Sequence, residues 1–311
     1  MTTQIKKVTS QFKSFLMVFF FMLCACHKEK DLKQEQTTLF NLLDNQQTNI
    51  HFKNTVKENL YFNFINYSYI YNGAGVAVGD INNDGLKDLY FTSNQNSNKL
   101  YLNSGNFKFE DITLKANVLD DSGWTTGVTM VDINNDGWLD IYVCKSGSLK
   151  SHELRKNKLF INQKNNSFKE EAAKYGLDHF GFSTQSYFFD FDNDNDLDLY
   201  VTSGGYEIPE NSKLLQNRLY LNDGKGNLKK SNLFENLDST KKVIFSDFDQ
   251  DGDQDVFVAG FVVPGDYPKA NLSRMYINES GLFKKMESDL FNNLGLITDI
   301  KAVYYNWDGK T

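Results

Sequence analysis

Three cysteines among 311 residues cannot build a disulfide framework, so stability must come from a core or from bound ions. Three prolines exclude a Pro-rich linker architecture. The four histidines, His27, His51, His152 and His179, are scattered and form neither a His-Glu-x-x-His motif nor a Cys/His zinc spacing. A basic excess is missing as well. The 33 Lys and Arg face 40 Asp and Glu, for a net charge of −7, which argues against nucleic acid as a partner because phosphate binding needs a positive surface. The apolar run at 15–25 is 11 residues long, short of the roughly 20 that span a bilayer. What is present suffices for a folded chain. Hydrophobic residues at 40% and aromatics at 14% can bury a core, which excludes global disorder. The length fits one large β or α/β domain, or two ordinary ones.

Lys6, Lys7 and Lys13 precede the apolar run, and a small residue, Ala25, closes it. A positive start, a short apolar stretch and a small residue at the cleavage point describe a secretory signal peptide. The polar run 27–31 offers a buried helix no amphipathic continuation. Leu23-Cys24-Ala25-Cys26 resembles a bacterial lipobox. That resemblance implies that 1–25 is removed, that Cys26 is acylated as the mature N-terminus, and that 26–38 is a polar tether. It further implies an exported lipoprotein of the outer membrane, held to the bilayer through its N-terminal lipid. The charged stretch after Cys26 is similar to signals that send some lipoproteins to the cell surface. Cys144 is then left without a cysteine partner.

One acidic pattern recurs four times. It reads Asp80-Ile-Asn82-Asn-Asp84-Gly85-Leu-Lys-Asp88, then Asp132-Ile-Asn134-Asn-Asp136-Gly137-Trp-Leu-Asp140. The third and fourth copies are Asp190-Phe-Asp192-Asn-Asp194-Asn195-Asp196-Leu-Asp198 and Asp247-Phe-Asp249-Gln-Asp251-Gly252-Asp253-Gln-Asp255. Successive copies are 52, 58 and 57 residues apart. A second motif runs in phase with the first: Lys99-Leu-Tyr-Leu-Asn103, Lys158-Leu-Phe-Ile-Asn162, Arg218-Leu-Tyr-Leu-Asn222 and Arg274-Met-Tyr-Ile-Asn278. Around each acidic stretch the residues alternate as strands. In the first unit these fall near 75–78, 89–92, 99–103 and 107–112. Four short strands per unit of roughly 40–60 residues is the requirement for one β-propeller blade. The expected fold is therefore all-β, with four complete blades of four antiparallel strands and a partial fifth, an incomplete or open propeller. The units run at about 71–122, 123–180, 181–238 and 239–294, with a remainder at 295–311 inside a propeller region of 39–311. The longer polar stretches at 144–158 and 203–218 read as loops on one rim.

Carboxylates at positions 1, 3 and 5 of a tight loop repel one another unless a cation sits among them. Position 6 is Gly in three copies and Asn195 in the third, residues that tolerate a left-handed backbone. With position 7 offering a carbonyl and position 9 a closing Asp, the ligand set is all oxygen, which suits Ca²⁺ rather than zinc. The candidate ligands are Asp80, Asn82, Asp84 and Asp88; Asp132, Asn134, Asp136 and Asp140; Asp190, Asp192, Asp194 and Asp198; and Asp247, Asp249, Asp251 and Asp255. An EF-hand needs a Glu at position 12, where this chain has Phe91, Val143, Val201 and Val258. The bland alternative is a set of solvated β-turns. It weighs more on the first two copies, where Asn82 and Asn134 leave three carboxylates each. The four stretches hold 16 of the 40 acidic residues, and four Ca²⁺, at two charges each, would carry the formal charge from −7 to +1. At a dissociation constant of ~10⁻⁴ M and ~2 mM external calcium, each site would stabilise the fold by roughly 1.8 kcal/mol. That points to structural rather than catalytic metals.

The paired motifs resemble the FG-GAP/VCBS repeat family, which includes the calcium-binding propellers at the head of integrin α chains. They are more similar still to bacterial cartilage-acidic-protein-like proteins associated with an ASPIC/UnbV module. Tyr71-Asn-Gly-Ala-Gly-Val-Ala-Val-Gly-Asp80, Gly123-Trp-Thr-Thr-Gly-Val128 and Pro264-Gly-Asp-Tyr-Pro268 carry the same likeness. It implies an extracellular propeller for adhesion or ligand binding. The chain departs from the family at its end. Tyr304, Asn306, Asp308 and Gly309 fall at loop positions 1, 3, 5 and 6 of a fifth unit, and Tyr304 is a poor replacement for a carboxylate. Related propellers commonly have seven blades, so either the chain is a truncated product, or a further chain or a shorter closure completes the ring.

No enzyme constellation stands out. Gly309-Lys310-Thr311 mimics the end of a phosphate loop but lacks its first Gly. Trp124, Trp138 and Trp307 read as blade aromatics ahead of sugar-stacking surfaces. The leading expectation is a non-enzymatic, calcium-binding, lipid-anchored surface protein holding a glycan or protein ligand. The alternatives are a propeller enzyme or accessory factor in polysaccharide processing, and an inactive fragment.

Overall fold

The β-branched and aromatic residues on either side of each acidic loop pair across it as hairpins. In a computed structural model that describes residues 39–147, 151–209, 211–233 and 239–303, those hairpins grow into four sheets of four antiparallel strands. The first sheet is β1 (Val76–Gly79), β2 (Asp88–Phe91), β3 (Lys99–Asn103) and β4 (Phe109–Asp111). The second is β5 (Trp124–Val131), β6 (Asp140–Ser146), β7 (Lys158–Asn162) and β8 (Phe168–Glu170). The third is β9 (Ser183–Phe189), β10 (Asp198–Ser203), β11 (Arg218–Leu221) and β12 (Lys229–Ser231). The fourth is β13 (Thr240–Ser246), β14 (Asp255–Gly260), β15 (Arg274–Glu279) and β16 (Leu282–Lys285). Strands pair only with their sequence neighbours, as an up-and-down blade requires. The one α-helix among the described residues is a single turn, α1 (Asn45–Thr48), capped by the Asp44 side chain. No helix among them is long and apolar enough to cross a membrane.

The sheets belong to the compact unit Asp44–Thr311. Of the unit Met1–Leu43, only 39–43 are described, and they form no strand. The expected signal peptide at 1–25, the expected lipid site Cys26 and tether to residue 38, and the partial fifth loop at Tyr304, Asn306, Asp308 and Gly309 lie outside the described residues.

The three largest core clusters lie between sheets rather than inside any one of them. Ala77, Tyr90 and Leu100 meet Val128, Ile141 and Phe160 between the first two. Tyr142, Cys144 and Leu159 meet Leu199, Val201 and Tyr220 between the next two. Tyr200 and Leu219 meet Val243, Val256 and Val258 between the last two. A sheet covered on both faces reads as a continuous apolar run, which is why β6 and β10 are buried along their whole length. The first strand of each sheet packs on the first strand of the next, β1 on β5, β5 on β9 and β9 on β13, so these four line a common axis. Glycine makes that approach close. A Cβ at Gly75 would sit 2.8 Å from the Thr126 carbonyl oxygen, and one at Gly127 would sit 2.7 Å from that of Thr184.

The row of sheets does not close. Val76 and Val78 are 55% and 58% exposed on the free face of the first sheet. Residues 49–52 cover part of that face: Phe52 stacks on Phe91 with ring centroids 4.9 Å apart, and the His51 amide donates to the Tyr101 hydroxyl at 3.3 Å. At the far end, Phe291 packs edge-on against Phe257, and Lys242 pairs with Asp299 at 3.3 Å.

Candidate functional site

Each acidic loop joins the first strand of a sheet to the second, and all four fold alike. The position-1 carboxylate accepts from the amides of positions 5 and 6. Asp80 takes Asp84 and Gly85 at 3.2 and 2.8 Å, and Asp132 takes Asp136 and Gly137 at 2.9 and 2.7 Å. Asp190 takes Asp194 and Asn195 at 3.1 and 3.0 Å, and Asp247 takes Asp251 and Gly252 at 3.1 Å each. The position-5 carboxylates of Asp84, Asp136, Asp194 and Asp251 accept from the amide two residues on. Position 6 is left-handed as its residue types require, at φ 86°, 85°, 69° and 99°. Position 4 is left-handed too, at Asn83, Asn135, Asn193 and Gln250. The asparagines there suit that backbone and pass unnoticed in the bare motif.

The position-9 aspartates have a second task that spacing alone does not reveal. Asp88, Asp140, Asp198 and Asp255 are fully buried, and each accepts two amides. One comes from position 2: Ile81 at 2.9 Å, Ile133 at 3.2 Å, Phe191 at 2.7 Å and Phe248 at 2.7 Å. The other comes from the asparagine that ends the paired motif: Asn103 at 2.8 Å, Asn162 at 2.7 Å, Asn222 at 2.8 Å and Asn278 at 2.8 Å. The two motifs keep phase because this carboxylate ties loop to third strand. Burial, opposed by those amides and aided by the neighbouring aspartates, pushes Asp140 and Asp198 up to about 7 and raises Asp88.

Carboxylate oxygens converge unequally. Among the described residues, three come within 4.8 Å of one another at Asp190, Asp192 and Asp194, and again at Asp247, Asp249 and Asp255. In the first two loops the outer oxygen of position 5 is already engaged. The Asn82 amide lies 2.9 Å from Asp84 Oδ2, and the Lys164 ammonium lies 3.3 Å from Asp136 Oδ2. A cation entering the second loop would compete with that lysine. Asp192 and Asp249 both have raised pKa values, from burial first and then from neighbouring carboxylates. These are the loops where a divalent ion would relieve the most repulsion.

At the opposite end of the first strands, a cavity of about 200 Å³ sits on the shared axis. Its wall is a second repeat. Six and five residues before each first aspartate stand Ala74–Gly75, Thr126–Gly127, Thr184–Gln185 and Lys241–Lys242, and all eight line it. Thr126 Oγ1 donates to the Ser183 carbonyl at 2.8 Å, stapling β5 to β9. Trp124 borders the cavity but is buried against Tyr67 and Phe62. Trp138 is half-buried at position 7 of the second loop, and Trp307 lies outside the described residues.

Comparison with known proteins fits this geometry. Residues 80–143 match the FG-GAP-like repeat. That stretch holds the first two acidic loops and the paired motif between them. Cartilage acidic protein 1 of Mus musculus and of Xenopus tropicalis are each 36% identical to this chain over 69 residues. The alignment covers 22% of this chain and 11% of either relative. The matched repeat spans the first two loops, and the four sheets describe an open, propeller-like array.

Proposed function

We propose that the protein is a calcium-stabilised binding protein, lipid-anchored through Cys26 at the bacterial outer membrane, that serves in adhesion or in capture of a glycan or protein ligand. The observation that carries the calcium reading is one loop geometry repeated at four sheets, with carboxylate triads converging at two of them. The FG-GAP-like match supports the adhesive role.

Calcium at Asp190, Asp192 and Asp194, and at Asp247, Asp249 and Asp255, would fix the turn between the first two strands of the third and fourth sheets. Position-3 and position-5 oxygens and the position-7 carbonyl complete such a shell. With two sites at roughly 1.8 kcal/mol each, chelation is expected to lower the melting temperature by about 10 °C. Thermal melts of the protein in millimolar calcium and in chelator test this directly. One cooperative transition that moves with calcium supports the reading, and a melt indifferent to calcium sinks it. Mass analysis of the mature N-terminus checks the acylation of Cys26.

A further inference from the structure

We infer that the loop at 59–67 rests on a lipid bilayer, seating Leu60, Tyr61, Phe64 and Ile65 in its interfacial region. This rests in part on the membrane location proposed above, and it gives the folded unit a lipid contact of its own. Among residues 60–65, four are large, apolar or aromatic, and exposed: Leu60 at 86%, Tyr61 at 89%, Phe64 at 58% and Ile65 at 91%. Single exposed apolar residues are ordinary, whereas a run of them marks a contact surface. The surrounding chain is uncharged as well. No Asp, Glu, Lys, Arg or His occurs from 59 to 79, although Asp, Glu, Lys and Arg make up 23% of the chain.

What covers such a surface follows from where its polar groups go. Asn59 Oδ1 accepts the amides of Tyr61 and Phe62 at 2.9 and 3.0 Å, and Asn63 Oδ1 accepts those of Ile65 and Asn66 at 3.0 and 3.2 Å. The Asn63 carboxamide donates to the carbonyls of Asn59 and Leu60 at 3.0 and 3.3 Å, and Glu58 Oε1 accepts the Phe64 amide at 2.9 Å. The Asn59 amide donates to the Phe62 carbonyl and the Tyr67 amide to the Asn63 carbonyl, both at 2.9 Å. The loop thus satisfies most of its own backbone. A peptide strand binds through main-chain hydrogen bonds and a sugar through placed polar groups, and here both kinds are spent internally. A lipid surface makes the opposite demand: satisfied backbone, with apolar and aromatic side chains outward. The base of the loop is held to the protein. Phe62 and Tyr67 stack at 5.3 Å, both meet the buried Trp124 edge-on at 5.3 Å, and Ser68 Oγ donates to Glu207 at 2.7 Å. A turn-rich loop of this length is far too short to span a bilayer, so the contact lies in the interface plane.

The test is spin-label depth measurement on the whole protein with vesicles of phosphatidylethanolamine and phosphatidylglycerol. On adding vesicles, a label on Ile65→Cys is expected to lose access to a water-soluble nickel chelate by about tenfold and to stay open to oxygen. A label on Lys225→Cys, in the exposed turn between β11 and β12, is expected to remain in water. The native Cys144 is buried and is expected to take no label. Leu60→Ser with Phe64→Ser in the labelled protein is expected to cancel most of the shielding, with the thermal melt unchanged because both side chains are exposed. Equal chelate access at 65 and 225 on vesicles overturns the inference, as does shielding that survives the Leu60 and Phe64 replacements. Shielding at 65 without vesicles, beside a doubled sedimentation mass, assigns the loop to a second copy and overturns it too. The anchor reading fails separately: a label at 65 that enters vesicles while mass analysis finds no acyl group on Cys26 removes the anchor and keeps the loop. An acylated protein whose label at 65 stays in water keeps the anchor and removes the loop.

Discussion

Asp140 spends both carboxylate oxygens on main-chain amides, those of Ile133 and Asn162. Replacing it with Ala strands two buried donors, so Asp140→Ala is expected to lower unfolding free energy by about 2–4 kcal/mol, read by urea denaturation in chelator. Asn at the same place keeps one acceptor and is expected to cost less. The pH response has a definite sign. Asp140 and Asp198 titrate near 7 when folded, above their usual range, because burial disfavours the charged form. The folded state therefore holds protons that the unfolded chain has released. Their contribution is fully present below about pH 4 and is lost as pH rises through 7. In chelator, denaturation midpoints are expected to fall between pH 5.5 and 8. Saturating calcium, which favours the ionised loops, is expected to flatten or invert that slope. A midpoint that rises with pH in chelator would contradict the burial argument.

Sheets and loops show what a sequence conveys about its elements. The paired motifs mark β2, β3 and their partners almost to the residue, because alternation and the acidic turn are local signals. The left-handed Asn83 and Asn135 were legible in principle from their residue type. Lys164 beside Asp136 was not, since the two meet only once β7 is laid against β6. The role of Asp88, Asp198 and their counterparts was half legible: spacing named them as candidate ligands, while one of the two amides each accepts arrives from a strand 15 to 24 residues away. The axial wall was present in the sequence as the residues six and five before each first aspartate. Nothing marked them as facing one another until the first strands were packed side by side. For the loops as elements, calcium titration is expected to resolve two tighter sites. Asp192→Asn and Asp249→Asn are each expected to remove one, while Lys164→Ala is expected to strengthen the second loop. Four equal sites, or a second loop unmoved by Lys164→Ala, would refute this ranking.

Among the described residues, stability is distributed along a row, because the three main core clusters each lie between two sheets and each sheet leans on the next. An opening at any seam therefore exposes apolar surface from two repeats at once. Cys144 lies at such a seam, in β6, with no exposed surface and a thiol pushed up to about 12 by burial. Its sulfur is chemically silent while the second and third sheets stay together, since the reactive species is the thiolate. That silence makes it a clock. Peptide mapping after timed exposure to an alkylating reagent reads how often this seam parts, with no label added to the folded protein. Removing calcium is expected to speed modification at Cys144 without changing the rate-limiting chemistry of a free thiol. The buried Cys144 would thus record, in elapsed minutes, how far an ion bound at the third loop steadies a boundary it never touches.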